Sequence, residues 1–421
     1  MNKSDTIWDQ KKFEDIYLEP SRNGLSKPSR LRGTGIKMVN MKEIFAYSRI
    51  SNPEMELVPM DTKELENYLL KKGDLLFARQ SLVASGAGKC SIVLTTPEKT
   101  TFESHLIRVR IDPSKANPFF YYYYFISPKG IAKTQSLVMQ VAAAGIRASE
   151  LARLDVDYPS KKTQDKIVTL LEKYDDLIDN NNRRIQLLES MAKLIYNEWF
   201  VKFKFPDYKK VKMIDSGTEL GDIPNGWEIK SAYDVAAITF GHPFKSNKFC
   251  NDDSLKPIVR IRDIISNSTS TYSNEEVDEK YEIHLGDMLI GMDGIFHICK
   301  WSNKTAYLNQ RVARLRPIND VSKYFLYLSI KPRIERLNDV IVGTTVQHLS
   351  QRDFQKMMIL VPPKNLMDSF RQVADSIYEN GVKLKQKNQN LITTRNLLLP
   401  RLMSGEIDVS KLDIKILEVE A

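Results

Sequence analysis

The sequence predicts an α+β fold in which two homologous strand-rich globules are separated by two long helices that form an antiparallel coiled coil. Three observations carry this prediction. Between Pro159 and Phe200 apolar residues step by four and three for about five heptads. The same steps return after Pro362 in the same phase. Ahead of each helix, a matching succession of short strand and turn signals occurs twice.

The first helix carries Ile167, Leu171, Tyr174, Ile178, Ile185, Leu188, Ala192, Ile195 and Trp199 on one seam, with Asn181 standing where another apolar residue is due. Thr163 is placed to cap it, and Asp165 falls in the first turn, where an acid suits the helix dipole. Phe205-Pro206-Asp207 stops it. At ~1.5 Å per residue it is on the order of 55 Å long, more than a small domain needs for its own core. The rod therefore requires a partner. The second series, Phe370, Ala374, Ile377, Gly381, Leu384, Asn388, Leu391, Arg395, Leu398 and Leu402, follows from the first by a shift of 203 residues without a gap. Gly381 and Arg395 interrupt it, and Pro400 is expected to end it early. Asn181 and Asn388 are polar residues in apolar seams, which lower stability and fix register. Two separate amphipathic helices, each packed on its own domain, are the alternative; the shared phase favours an antiparallel pair.

The globules occupy residues 1–160 and 206–363, the helices 161–205 and 364–405, and a tail follows at 406–421. Trp8, Asp15 and Ile16 have the spacing of Trp227, Asp234 and Val235. The run from Ile36 to Ile44 resembles that from Lys256 to Ile264, and both read as a strand with basic residues at alternate positions. Gly73-Asp74 and Gly286-Asp287 each precede an apolar run, a strand-entry signal. Arg108 and Arg110 match Arg314 and Arg316 on a further strand and read as scaffold. An aromatic helix follows at 117–126 and again at 321–330. The repeat, at roughly 205–220 residues, is too long for a solenoid and marks a duplicated domain. Residues 201–225 are basic, then Gly- and Pro-punctuated, as an exposed connection would be.

A chain of 421 residues exceeds one ordinary core, and 42% hydrophobic with 27% charged residues is the balance of a folded soluble protein. A net charge of +9 points to an anionic partner, nucleic acid first. Cys90, Cys250 and Cys299 fit neither a metal pattern nor a disulfide framework and read as free thiols in a reducing cytoplasm. The N-terminus lacks an apolar signal region and no run of eighteen apolar residues occurs, so neither secretion nor a membrane span is expected. No catalytic pattern stands up. Ser85-Gly86-Ala87-Gly88-Lys89-Cys90 lacks the first glycine and the Ser/Thr of a phosphate loop and reads as a turn. Val361-Pro362-Pro363-Lys364 lacks the Asn or Asp and the aromatic residue of a methyltransferase tetrapeptide, and His105, His242, His284, His297 and His348 have no metal-ligand spacing.

Leu194-Ile195-Tyr196-Asn197-Glu198-Trp199-Phe200-Val201-Lys202-Phe203, Asn396-Leu397-Leu398-Leu399-Pro400-Arg401-Leu402-Met403-Ser404-Gly405-Glu406-Ile407 and Ile223-Pro224-Asn225-Gly226-Trp227 resemble the specificity subunit of type I restriction–modification systems, and the likeness extends over nearly the whole chain. The resemblance implies that the globules are target recognition domains, each reading one half of a bipartite, asymmetric site on double-stranded DNA. It implies that the helices space the globules and dock two modification subunits, which bind S-adenosylmethionine and methylate adenine at N6, with restriction subunits joining the full complex. It implies no active site and no cofactor in this chain. A self-contained DNA-modifying enzyme with an unrecognised site is the alternative from another class, and a coiled-coil assembly protein with incidental charge is a third.

Lys and Arg neutralise phosphates and read guanine, while Asn and Gln read adenine. The candidates for DNA contact are Arg30, Arg32, Lys37, Asn40, Lys42, Arg79, Gln80, Lys89 and Arg147 in the first globule. In the second they are Lys245, Lys248, Arg260, Arg262, Asp293, His297, Gln347 and His348. Each has a bland reading beside this one: a solvated charge or, for Asp293 and Gln347, a turn or cap. Opposite Arg79-Gln80-Ser81 the second copy has Met292-Asp293-Gly294, as expected if each copy presents different polar groups on a common scaffold.

If the helices set the spacing, inserting or deleting a fraction of a heptad within 175–185 changes the spacer between half-sites and leaves the half-site sequences intact. Mapping the methylated sites of such a variant checks this; an altered half-site with an unchanged spacer rejects it.

Overall fold

The computed structural model describes residues 8–81, 84–140, 144–339 and 348–413. Its contacts divide the chain into two units, Met1–Asp176 with Ile392–Ala421, and Leu177–Leu391. Each unit holds one globule together with part of the central helix, Lys161–Tyr196, and part of the C-terminal helix, Lys364–Met403.

In the first unit a five-stranded sheet runs Tyr17–Asn23, Leu106–Ile111, Leu75–Ala78, Cys90–Val93, Arg49–Ile50. A three-stranded sheet places Ile36–Val39 between Glu56–Val58 and Thr100–Phe102. The aromatic helix Pro118–Ile126, capped by the Asn117 side chain, buries Phe120 to Phe125 against the larger sheet. Tyrosines so deeply desolvated lose their tendency to ionise, and burial drives the Tyr121 and Tyr123 hydroxyls far up. The second unit repeats the plan. Four strands run Ala236–Phe240, Val312–Pro317, Met288–Gly291, Ile298–Lys300, beside a three-stranded sheet of Ile258–Val259, Ala306–Leu308 and Glu282–Ile283.

The repetition reaches individual bonds. Gly73 and Gly286 adopt φ of 86° and 88°, conformations that glycine enters without a side-chain clash. The aspartate that follows each caps the preceding turn: Asp74 accepts from the Lys71 amide at 2.8 Å, Asp287 from the His284 amide at 2.7 Å. Each aspartate also grips an arginine on the neighbouring strand with two hydrogen bonds, Arg110 at 2.7 and 2.7 Å and Arg316 at 2.8 and 2.7 Å. Such forked pairs are the strong class of charged hydrogen bond. Arg108 and Arg314, beside them, are 2% and 6% exposed, which explains the alternating arginines as framework. Gly24 and Gly241 form a third matched pair. A Cβ on either would lie 2.2 or 2.0 Å from the carbonyl of Glu103 or Asn309, so only glycine fits the crossing.

The long helices pack antiparallel within each unit. In the first, Ile167 and Leu171 share a core with Leu399, Leu402 and Met403, and Arg395 pairs with the buried Asp175. Lys166 donates to the carbonyls of Val409, Ser410 and Leu412 at 3.2, 2.7 and 2.8 Å, tying down the turn after the C-terminal helix. In the second unit Asn181 donates to Asn388 at 2.8 Å, and Asn388 donates in turn to Asn182 at 2.9 Å. Trp199 meets Phe370 with ring centroids 6.1 Å apart, so rising numbers on one helix meet falling numbers on the other. Every seam residue is inward: Ile178, Ile185, Ile377 and Leu384 are buried, and Tyr174, Leu188, Ile195, Leu391 and Leu398 are half-buried. The globule of each unit is fastened to these helices by a polar contact. Tyr123 donates to Asp175 at 2.7 Å in the first. In the second, Lys300 lies among the rings of Tyr324, Tyr327 and Tyr378 and reaches Glu189 at 2.7 Å; burial lowers its pKa to about 8.

Four expectations are corrected. Ser160, not Thr163, caps the central helix: its hydroxyl accepts from the Thr163 amide at 3.2 Å. The run from Ile36 is a strand only to Val39, after which Asn40 and Glu43 form a capping box on the helix Met41–Ala46. Likewise Ile258–Val259 gives way to a turn and the helix Asp263–Ser266, with the Arg260 amide donating to Asp263. Reading basic residues at alternate positions overlooked these caps. Pro400 does not end the C-terminal helix, which continues to Met403. So near the end it removes little of the hydrogen-bond ladder, and the burial of Leu399, Leu402 and Met403 holds the last turn.

One carboxyl in the first unit is under stress. Burial, then the neighbouring Asp176, raises Glu172 from 4.5 to about 7, against the opposing pull of Arg49 and Lys72. The folded state thus holds a proton that the unfolded chain releases, and Glu172 favours folding less as pH climbs from about 4.5 to 7. Glu172→Gln should stabilise the protein at pH 8 by up to roughly 3 kcal/mol and flatten its melting temperature between pH 4.5 and 7. Thermal melts across that range measure it.

Candidate nucleic-acid interface

The basic candidates of the first unit divide into three settings. Arg32, Asn40 and Lys42 line one cavity, but Glu43, Glu54, Glu56 and Glu103 line it too. Arg32 pairs with Glu56 at 2.6 Å and approaches the Asn40 side chain at 3.5 Å. Lys37 donates to Glu98 and Asn52, both at 2.7 Å, and the bonds that Glu98 accepts from Lys37 and from the Asn52 amide at 3.3 Å hold its carboxyl below the usual range. Lys89 donates to the Phe45 carbonyl over the Phe45 ring, and partial burial lowers its pKa. Arg30, Lys42 and Arg147 stand exposed, and among the described residues their side chains make no ion pair or hydrogen bond.

The third setting is the end of the strand Leu75–Ala78. The Arg79 amide donates to the His105 carbonyl at 2.7 Å, and the Arg79 carbonyl accepts from the Ile146 amide at 2.9 Å. Gln80 pairs across the backbone with Gly145, and its side chain lies 3.0 Å from the His105 ring nitrogen Nδ1. The Arg79 guanidinium makes one long bond, 3.4 Å, to the Ser104 carbonyl.

In the second unit Lys245 precedes and Lys248 ends the turn Ser246–Lys248, and Arg260 lies over the Phe249 ring at 5.6 Å. Arg262 is exposed, 3.8 Å from Asp263 and 3.5 Å from Thr271. His297 is half-buried beside the strand Ile298–Lys300, on the cavity lined by Asn182, Lys300 and Lys385. Gln347 lies outside the described residues. At the end of Met288–Gly291 the bonds of the first unit recur. The Met292 amide donates to Arg311 at 3.0 Å, the Leu349 amide donates to Met292 at 2.8 Å, and Asp293 pairs across the backbone with His348. The side chains differ. Asp293 bonds His348 at 2.6 Å and Arg311 at 3.1 Å.

Sequence reasoning missed His105 and Arg311, the partners of Gln80 and Asp293. The signal was available: the register that matches Arg108 and Arg110 to Arg314 and Arg316 also sets His105 opposite Arg311. Among the described residues no group of three His, Cys, Asp or Glu is placed to hold a metal ion, and no helix is long and apolar enough to cross a membrane. The arrangement offers hydrogen-bond donors and acceptors in exposed clusters, the chemistry that reads base edges.

Comparison with known proteins gives a consistent result. The family model described as type I restriction modification DNA specificity domain matches residues 11–190 and again 224–375. The type I restriction enzyme MjaIX specificity subunit of Methanocaldococcus jannaschii is 23% identical over 426 residues, covering 96% of this chain and 94% of its own. The HindI specificity subunit of Haemophilus influenzae is 25% identical over 435 residues, covering 86% and 91%. Among solved structures, the type I restriction–modification S subunit from M. genitalium shares the fold with a TM-score of 0.58 at 13% identity, covering 96% of this chain and 98% of that one.

Arg79 carries a separable expectation. If its guanidinium reads a base, Arg79→Ala relaxes preference at one position of the site by about 1–3 kcal/mol. Binding measured across a panel of single-base variants checks this, and uniform weakening across the panel makes Arg79 a phosphate contact.

Proposed function

Because the chain belongs to the type I restriction–modification DNA specificity family, whose model matches most of its length, we propose that its two units each read one half of a bipartite, asymmetric site on double-stranded DNA. The helix pair sets the distance between the half-sites. Catalysis is left to modification subunits, which bind S-adenosylmethionine and methylate adenine at N6, and to restriction subunits in the full complex. One observation supports this above the rest: the same backbone bonds recur at the strand ends near Arg79 and Met292, yet they hold different polar side chains. A duplicated scaffold with unlike tips suits two different sequences better than one repeated task.

The helices also offer a surface for the modification subunits. On the second unit's part of the central helix, Leu187, Met191 and Leu194 are 57%, 54% and 63% exposed, and Val201, in the turn that follows, is 58% exposed. They follow the four-three step of a seam, on a face other than the one the C-terminal helix covers. An apolar stripe left open on a helix is the usual mark of a partner surface.

Coexpression with a modification subunit, followed by sequencing of methylated adenines, tests the assignment. The expected result is one bipartite motif with unlike halves. Methylation without a motif, or turnover by the purified chain alone with S-adenosylmethionine, overturns it. Met191→Glu should lower co-purification of the modification subunit at least tenfold while leaving the melting temperature within about 2 °C, since exposed substitutions cost little stability.

A further inference from the structure

The clusters at the two strand ends occupy matched positions. Four backbone relations define the match: Arg79 to His105 and Met292 to Arg311, then Ile146 to Arg79 and Leu349 to Met292. By these relations Gln80 corresponds to Asp293, His105 to Arg311, and Gly145 to His348. The glycine crossing beneath them is also shared, since the Gly24 amide bonds Leu106 at 3.1 Å and the Gly241 amide bonds Val312 at 3.1 Å. The framework is therefore common, and the three polar positions on it are not.

We infer that these matched positions form the base-reading slot of each unit, with Gln80 selecting an adenine in one half-site and Arg311 selecting a guanine in the other. This rests on the reading given under Proposed function and names the residues that separate the two halves. In the first unit the slot pairs an amide with an imidazole, Gln80 Oε1 lying 3.0 Å from His105 Nδ1. An amide presents one acceptor and two donors, the complement of adenine N6 and N7. Gly145 adds no side chain against Gln80; a Cβ there would lie 3.4 Å from Gln80 Cγ. In the second unit the slot is charged. Asp293 holds Arg311 from one side and His348 from the other, and the Arg311 side chain remains 51% exposed. A guanidinium fixed by a carboxylate at Nε keeps its outer donors free for the O6 and N7 of guanine. The Asp293 contact thus orients the arginine, while a solvated arginine without it would favour phosphate contacts.

The test uses the full chain with its modification subunits and reads the methylated motif. Gln80→Ala should reduce discrimination at one position of one half-site by about 10- to 100-fold, and Arg311→Ala should do so in the other half-site. Asp293→Asn should weaken the same guanine preference as Arg311→Ala. Replacing the first slot by the second, with Gln80→Asp, His105→Arg and Gly145→His together, should introduce a guanine where the adenine was read and leave the other half unchanged. The inference is overturned if the Gln80 and Arg311 variants methylate the wild-type motif with undiminished discrimination. It is equally overturned if both lose methylation uniformly over all sites while their melting temperatures hold, because that identifies phosphate contacts. If the unaltered chain directs methylation to no motif at all, the broader reading under Proposed function fails instead. The three single variants, at exposed or half-exposed positions, keep the question answerable if the triple graft does not fold.

Discussion

The buried contact between Asn181 and Asn388 governs the alignment of the helix pair. Two amides inside an apolar seam are costly unless each finds a partner, and here each does. A slip of the helices by one heptad would leave both unpaired in a water-poor seam, a penalty on the order of 1–3 kcal/mol for each group. Apolar residues alone tolerate such slips far better, because one leucine packs much like another. In the second unit the aligned register brings Glu189 to Lys385 at 3.6 Å and Trp199 to Phe370. In the first, Asp175 and Arg395 meet between the helices as a charged pair. If the helices measure a distance along DNA, this polar specification gives the measure a single value.

The globules are built on a second repeated constraint, the aspartate that follows Gly73 or Gly286. It closes a turn through a backbone amide and holds a neighbouring arginine with two bonds, so one side chain fixes both the entry to a strand and the pairing of its neighbour. With that strand fixed at its start, its far end delivers Arg79 or Met292 to a set place. The polar groups beyond that point are carried by backbone hydrogen bonds and not by the core. They can differ between the units without disturbing what lies beneath.

Much of this was legible in the sequence. The heptad seams, their shared phase and the two asparagines were visible because helical periodicity is a strong and regular signal. The alternating arginines read as framework because they recur at matched places, and their burial agrees. Less legible were features that depend on one or two atoms. The capping box at Asn40 and Glu43 interrupts what looks like a continuous strand. The last turn of the C-terminal helix survives Pro400 because of burial that no local pattern reveals. The candidate contacts were harder still. Basic residues such as Lys37 and Arg32 are common on surfaces, and only coordinates show that carboxylates already engage them. His105 and Arg311 were passed over because their interest lies in a comparison between copies.

The crossing at Gly24 and Gly241 has a consequence for how such a chain could be rebuilt. With carbonyl oxygens barely 2 Å from where a methyl would sit, a side chain fits at neither crossing, and both halves share that constraint. A segment transplanted from one half to the other would meet the same glycine crossing and the same backbone bonds beside it. Diversity in what the molecule senses is thereby decoupled from the integrity of the chassis.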